Sequence, residues 1–142
     1  MKTTLTLLAF ALILVSCQPE GRIYSDNQDL SPNLEWLKKD VRTFDVVIED
    51  NSVEYDLSLA FRYATGFQYQ FAKVQVTEES PTGLIRVMEF DLKVREENGD
   101  YIGEAGLDIW DSEHKAESGI KYMEKGNYTY SITHIMENDP LH

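Results

Sequence analysis

Tyr55-Asp56-Leu57-Ser58-Leu59-Ala60-Phe61-Arg62-Tyr63 alternates large apolar side chains with polar or small ones along its whole length. Successive side chains of an extended backbone point to opposite faces, so this alternation predicts a strand with one buried and one wet side. The same period continues on both flanks. Upstream, Phe44, Val46 and Ile48 alternate with Asp45, Val47 and Glu49, and Asp50-Asn51-Ser52 supplies a turn. Downstream, Thr65-Gly66 interrupts the pattern. Phe71, Val74 and Val76 then require a slip of register, which predicts a β-bulge near Lys73.

Ser80-Pro81-Thr82-Gly83 reads as a turn, with proline presetting φ, and Met88, Phe90, Leu92 and Val94 resume the alternation. Asn98-Gly99 is a strong hairpin signal. Tyr101 to Trp110 reads as a strand whose Gly103 and Gly106 imply close backbone contacts or a bulge. Asp111 to Ser118 reads as polar loop or a single helical turn. Ile120, Tyr122 and Met123 form a short strand, Lys125-Gly126-Asn127 turns the chain, and Tyr128, Tyr130, Ile132 and His134 alternate again. About seven strands without a long helical pattern predict an all-β chain, an antiparallel β-sandwich. Burying each of its aromatic or branched side chains contributes about 1.5–3 kcal/mol, so the core forms without disulfides.

The N-terminus is a different kind of segment. Lys2 precedes an apolar run from Leu5 to Val15 in which only Thr6 is polar. As a helix this run spans roughly 16 Å, about half a bilayer core, too short for a permanent span and suited to a cleaved export signal. Leu14 is a poor −3 residue for ordinary signal peptidase. Leu14-Val15-Ser16-Cys17 instead resembles the bacterial lipobox, in which the cysteine sulfur receives a diacylglyceryl group and becomes the first mature residue. Cys17 is the only cysteine, so no intramolecular disulfide is available, and lipidation accounts for a lone cysteine in an exported chain. Several acyl chains, palmitate among them, hold such a protein stably on a membrane. Gln18 rather than aspartate follows the cysteine, which favours the outer membrane. Gln18-Pro19-Glu20-Gly21 lacks a dense acidic run, favouring the periplasmic face over the cell surface. The expected organisation is a signal peptide over 1–16, a lipidated tether over 17–34 pinned by Tyr24, Leu30, Leu34 and Trp36, and a β-sandwich over 35–142.

Composition narrows the function classes. Removing residues 1–16 takes away only Lys2 among the charged side chains, so 142 residues and a net charge of −12 become 126 and −13. Such an acidic chain lacks the basic footprint that nucleic acid requires. His114, His134 and His142 share no metal-ligand spacing, and His134 reads as a partly buried structural histidine. No motif sets a serine beside a base. Asp108, Asp111 and Glu113 could supply oxygen ligands to Ca²⁺, but their spacing fits no EF-hand and a solvated acidic loop is the better reading. Eight Tyr, six Phe and two Trp could offer a stacking platform for sugar rings, although most fall on the inward set. Trp110 is the one aromatic that could be exposed, with core or interface packing the leading reading. No catalytic residue, metal site, cofactor or small-molecule substrate is expected, and the chain reads as a non-enzyme.

The order of several short motifs resembles a known family. These are Leu14-Val15-Ser16-Cys17, Tyr24 and Trp36, then Phe44-Asp45-Val46-Val47-Ile48-Glu49-Asp50 and Tyr55-Asp56-Leu57-Ser58-Leu59. Gly103-Glu104-Ala105-Gly106-Leu107-Asp108-Ile109-Trp110-Asp111 and Gly126-Asn127-Tyr128-Thr129-Tyr130-Ser131-Ile132 complete the set. Together they resemble the gliding-motility lipoprotein GldH family of the Bacteroidetes. The resemblance implies an outer-membrane lipoprotein that works with other gliding and secretion envelope proteins, without catalytic residues. Only Cys17, the lipidated position, carries over as a site residue. The family pattern continues past Asn138-Asp139-Pro140-Leu141 into another short apolar strand, whereas this chain stops at His142, so a final strand is either absent or truncated. The alternative reading is a carbohydrate-binding lipoprotein of a glycan-uptake system.

Overall fold

The computed structural model describes residues 21–33 and 35–142, and these contain seven strands and no helix. They are β1 (Arg42–Ile48), β2 (Tyr55–Ala64), β3 (Phe71–Glu79), β4 (Ile85–Lys93), β5 (Glu104–Ala105), β6 (Ile109–Ile120) and β7 (Gly126–His134). A four-stranded sheet runs in the order β1-β7-β3-β4, and a three-stranded sheet in the order β2-β6-β5. Every pairing is antiparallel. The expected antiparallel sandwich is the fold observed.

The period-two stretches place the predicted residues inside. Leu59 and Tyr63 of β2, Leu92 of β4, and Tyr128, Tyr130 and His134 of β7 are buried, while the intervening Asp56, Ser58, Ala60 and Arg62 face water. Ile48, Val74, Val76, Val94 and His134 are essentially inaccessible and mark the centre between the sheets. The turn at Ser80–Gly83 closes the β3–β4 hairpin, with Gly83 N–H donating to Ser80 O (2.9 Å) and Ser80 N–H to Leu84 O (2.9 Å). Asn98-Gly99 lies in a tight turn flanked by the Arg95–Tyr101 bridge.

Four readings need correction. Asp111 to Ser118 is neither loop nor helix but the body of β6, the longest strand. Its inward positions carry Ser112, His114 and Ala116, so it lacks an apolar signature of its own. Pairing with β2 supplies the apolar partner, and outward ion pairs from Arg62 to Asp111 (2.7 Å) and Lys115 to Asp56 (2.7 Å) span the two strands. Conversely, most of Tyr101–Trp110 is not strand: Tyr101 makes an isolated bridge to Arg95, Glu104 and Ala105 pair with Asp111 and Trp110, and Ile109 and Trp110 already belong to β6. The close backbone contact expected at Gly103 is present. Its φ is +123° and an added Cβ would lie 2.2 Å from the Asp111 carbonyl oxygen.

The third correction concerns Lys73. β3 pairs with β4 in unbroken register from Phe71 to Glu79, because the small Ala72, not Phe71, occupies the inward position ahead of Val74. The irregularity lies instead between β2 and β6, on either side of Leu57. Finally, β6 ends at Ile120, and residues Tyr122 and Met123 form no strand. Tyr122 is buried against Tyr128 (ring centroids 4.6 Å apart), while Met123 is 87% exposed at the turn.

Candidate functional site

Cys17, the one residue assigned a chemical role from sequence, lies outside the described residues, as does Leu34. Of the other tether pins, Trp36 is buried and Leu30 packs against the core. Trp36 meets Leu141 in an antiparallel bridge, with each residue's N–H donating to the other's carbonyl (2.9 Å both ways). The Trp36 indole N–H donates to Asp40 O (2.8 Å), and the ring meets His134 edge-on at 5.4 Å.

The residues weighed for chemistry are dispersed or already satisfied. Asp111 accepts two bonds from the Arg62 guanidinium (2.7 and 2.9 Å), which hold its carboxyl below the usual carboxylate range. Glu113 pairs with Arg22 (3.0 Å). Asp108 sits in the β5–β6 turn, so the three carboxylates form no cage. Among the described residues no three His, Cys, Asp or Glu side chains are placed to hold a metal ion. His134 is fully buried rather than partly buried. Its Nε2 lies 3.6 Å from Asp139, beyond hydrogen-bond length, and among the described residues neither ring nitrogen has a hydrogen-bond partner. Burial pushes this imidazole below its ordinary pKa, against the opposing pull of the Trp36 backbone and the Asp139 carboxylate. His114 is half-buried on β6, with Nε2 2.9 Å from Ser112 Oγ, and burial lowers its pKa too.

Trp110 is half-buried. It stacks on Tyr101 (5.0 Å, 25°) and donates through Nε1 to Thr65 Oγ1 (3.2 Å), while the Arg95 guanidinium sits 4.3 Å from the Tyr101 ring centre. These faces cover one another instead of lying side by side, so they do not make a platform for sugars. The enclosed apolar cleft bounded by Leu30, Trp36, Phe61 and Leu141 has a volume near 60 Å³, well below the roughly 300 Å³ of a small-molecule pocket.

A half-buried polar clamp joins the two sheets. Glu78 on β3 accepts bonds from Arg86 on β4 (2.9 and 3.3 Å) and from the Tyr130 hydroxyl on β7 (2.7 Å). The same guanidinium reaches across to both oxygens of Glu117 on β6 (2.9 Å each). The Tyr122 and Tyr130 hydroxyls lie 2.6 Å apart. Burial, reinforced by Tyr122 and Glu78, raises the Tyr130 phenol far above its normal pKa, so it stays a neutral donor. The one signal the sequence offers for Glu78 is its position, two residues after Val76 in the inward alternation where an apolar side chain is expected.

The sheet margins differ from one another. The closing bonds Ser80 N–H to Leu84 O and Val94 N–H to Gln70 O fix which β4 groups face β3. The even-numbered residues of β4 bond to β3, leaving the N–H and C=O of Ile85, Val87, Glu89, Asp91 and Lys93 pointing out of the sheet. At the opposite margin, residues 21–33 run past β1, where Gln28 Nε2 donates to the outward Thr43 O (2.6 Å). Leu84, Ile85 and Val87 are 64%, 57% and 56% exposed.

Comparison with known proteins finds relatives over most of the chain. The GldH lipoprotein family profile matches residues 22–142. The gliding motility lipoprotein GldH of Flavobacterium johnsoniae is 25% identical over 132 residues, covering 93% of this chain and 80% of that protein. The gliding motility lipoprotein GldH homolog of Christiangramia forsetii is 23% identical over 130 residues, covering 92% and 78% respectively. No solved structure matches the chain. With a family match spanning nearly all of its described residues, the chain belongs to the GldH lipoprotein family.

Proposed function

We propose that this protein is an outer-membrane lipoprotein component of the gliding machinery, anchored through Cys17 and acting without catalysis by contact with other envelope proteins. The family match over residues 22–142 carries this reading. The lipobox Leu14-Val15-Ser16-Cys17 supports the anchor, with 1–16 removed and 17–34 serving as the tether. Of the side chains weighed for chemistry, Asp111 and Glu113 are held in ion pairs and Trp110 in an aromatic stack, an arrangement suited to a rigid body that others touch.

Deletion of the gene should abolish spreading on agar while growth in rich broth is unaffected. Normal spreading of a clean deletion strain would exclude the motility role. The anchor is tested separately by radiolabelled palmitate, which should enter the wild-type protein and not Cys17→Ala. Equal labelling of both would refute lipidation at Cys17.

A further inference from the structure

We propose that the outer edge of β4 is a docking strand, at which an extended segment of another protein adds as a fifth strand with apolar residues flanked by lysine or arginine. This deepens the contact role above and rests on it.

The first observation is the backbone. β4 is nine residues long, unbulged, free of proline and in continuous register with β3. Its outward N–H and C=O groups at Ile85, Val87, Glu89, Asp91 and Lys93 have no partner among the described residues. Native proteins usually blunt such an edge with proline, bulges or a covering segment. This protein does so on the far side of the same sheet, where Gln28 lies against β1. The margin of the facing sheet beside β4 is also short of cover, since β5 pairs only with Trp110 and Asp111 of the long β6. An incoming strand therefore finds unpaired main-chain groups, the pattern that β-augmentation uses for affinity.

The second observation is the side-chain chemistry along the edge, which selects the occupant. Ile85 and Val87 are more than half exposed on the outer face. Glu79 lies directly across from Ile85, and Glu89 follows Val87 on the same face. Neither carboxylate has a cation within salt-bridge distance among the described residues, whereas Asp91 beyond them has Lys73 at 3.9 Å. An apolar pair between two unpaired carboxylates is complementary to an apolar strand with basic residues at its ends. A second copy of this chain is the wrong occupant. Its net charge is −12, and pairing β4 antiparallel on itself about Glu89 would set the two Glu89 carboxylates against each other and Asp91 beside Val87, with Lys93 opposite Ile85 as the one cation brought across.

The test uses the purified full chain and short synthetic peptides with valine at alternate positions, ending in lysine, in glutamate, or in lysine with a central proline. The lysine peptide should bind in low salt at least about tenfold more tightly than the other two, and weaken as salt is added. It should slow hydrogen exchange of the Ile85, Val87, Glu89 and Asp91 amides. Val87→Pro removes an outward donor without touching a β3 bond and should reduce binding roughly tenfold. Glu89→Lys, which leaves the backbone intact, should do the same and should favour the glutamate peptide. The proposal fails if the three peptides bind alike, if neither variant weakens binding, if protection appears elsewhere, or if the edge instead mediates self-association in sedimentation.

Spreading assays separate the two levels. A deletion strain that spreads normally removes the motility role. A non-spreading deletion strain fully restored by Val87→Pro and by Glu89→Lys leaves that role standing and removes the edge.

Discussion

Replacing Arg86 with methionine isolates the clamp between the sheets. The change keeps much of the stem volume but leaves Glu78, whose side chain is only 11% exposed, with the Tyr130 hydroxyl as its remaining partner. Breaking a fully buried ion pair from one side costs about 3–5 kcal/mol. Arg86 itself is 40% exposed and Glu117 32%, so water already screens part of the interaction, reducing the expected loss to about 2–3 kcal/mol. For a domain of this size that lowers the melting temperature by about 6–12 °C. Circular dichroism melts and urea titrations of wild type, Arg86→Met and Glu78→Gln/Arg86→Met provide the measurement. The double variant should recover about 1–2 kcal/mol, because a neutral amide beside Tyr130 is far less penalised than an unpaired carboxylate. A single-variant loss below about 1 kcal/mol, or a double variant no more stable than the single, would refute the reasoning.

Two further perturbations probe other parts of the fold. His134 is held below its unfolded pKa by burial, so the unfolded chain binds more protons. Its contribution is complete above about pH 6.5 and is lost as the pH falls, by at most about 1.4 kcal/mol per unit. Unfolding free energies from urea titrations at about pH 7.5 and about pH 5.5 should therefore differ more in wild type than in His134→Phe, and equal losses would exclude His134 as the source. Gly103→Ala would set a Cβ 2.2 Å from the Asp111 carbonyl at a φ of +123°, whereas Gly99→Ala, at +91°, meets nothing within 4 Å. Gly99→Ala should cost about 1 kcal/mol and Gly103→Ala at least about twice that, read from thermal melts.

The alternating stretches around Tyr55–Tyr63 and Tyr128–His134 were legible because each strand carries its own apolar face. β6 was not, since Ser112, His114 and Ala116 become inward residues only through pairing with β2, an interaction distant in sequence. Lys73 misled for the opposite reason. A short apolar side chain at Ala72 satisfies the inward position, and a pattern keyed to large residues passes over it. The clamp showed only as a glutamate at an inward position, since Arg86 and Tyr130 are brought beside Glu78 by folding. Which sheet margin stays open was not legible, because that depends on where the tether lies.

The contact between Arg22 and Glu113 has a mechanical consequence for a lipid-anchored protein. Were acyl chains attached at Cys17, residues 17–20 would span at most about 14 Å between membrane and body. Because Arg22 grips β6 and Gln28 grips β1, slack beyond that point is taken up along the sandwich instead of swinging free. The domain would then be carried by its flank rather than as a ball on a string, on contacts that lie at the surface.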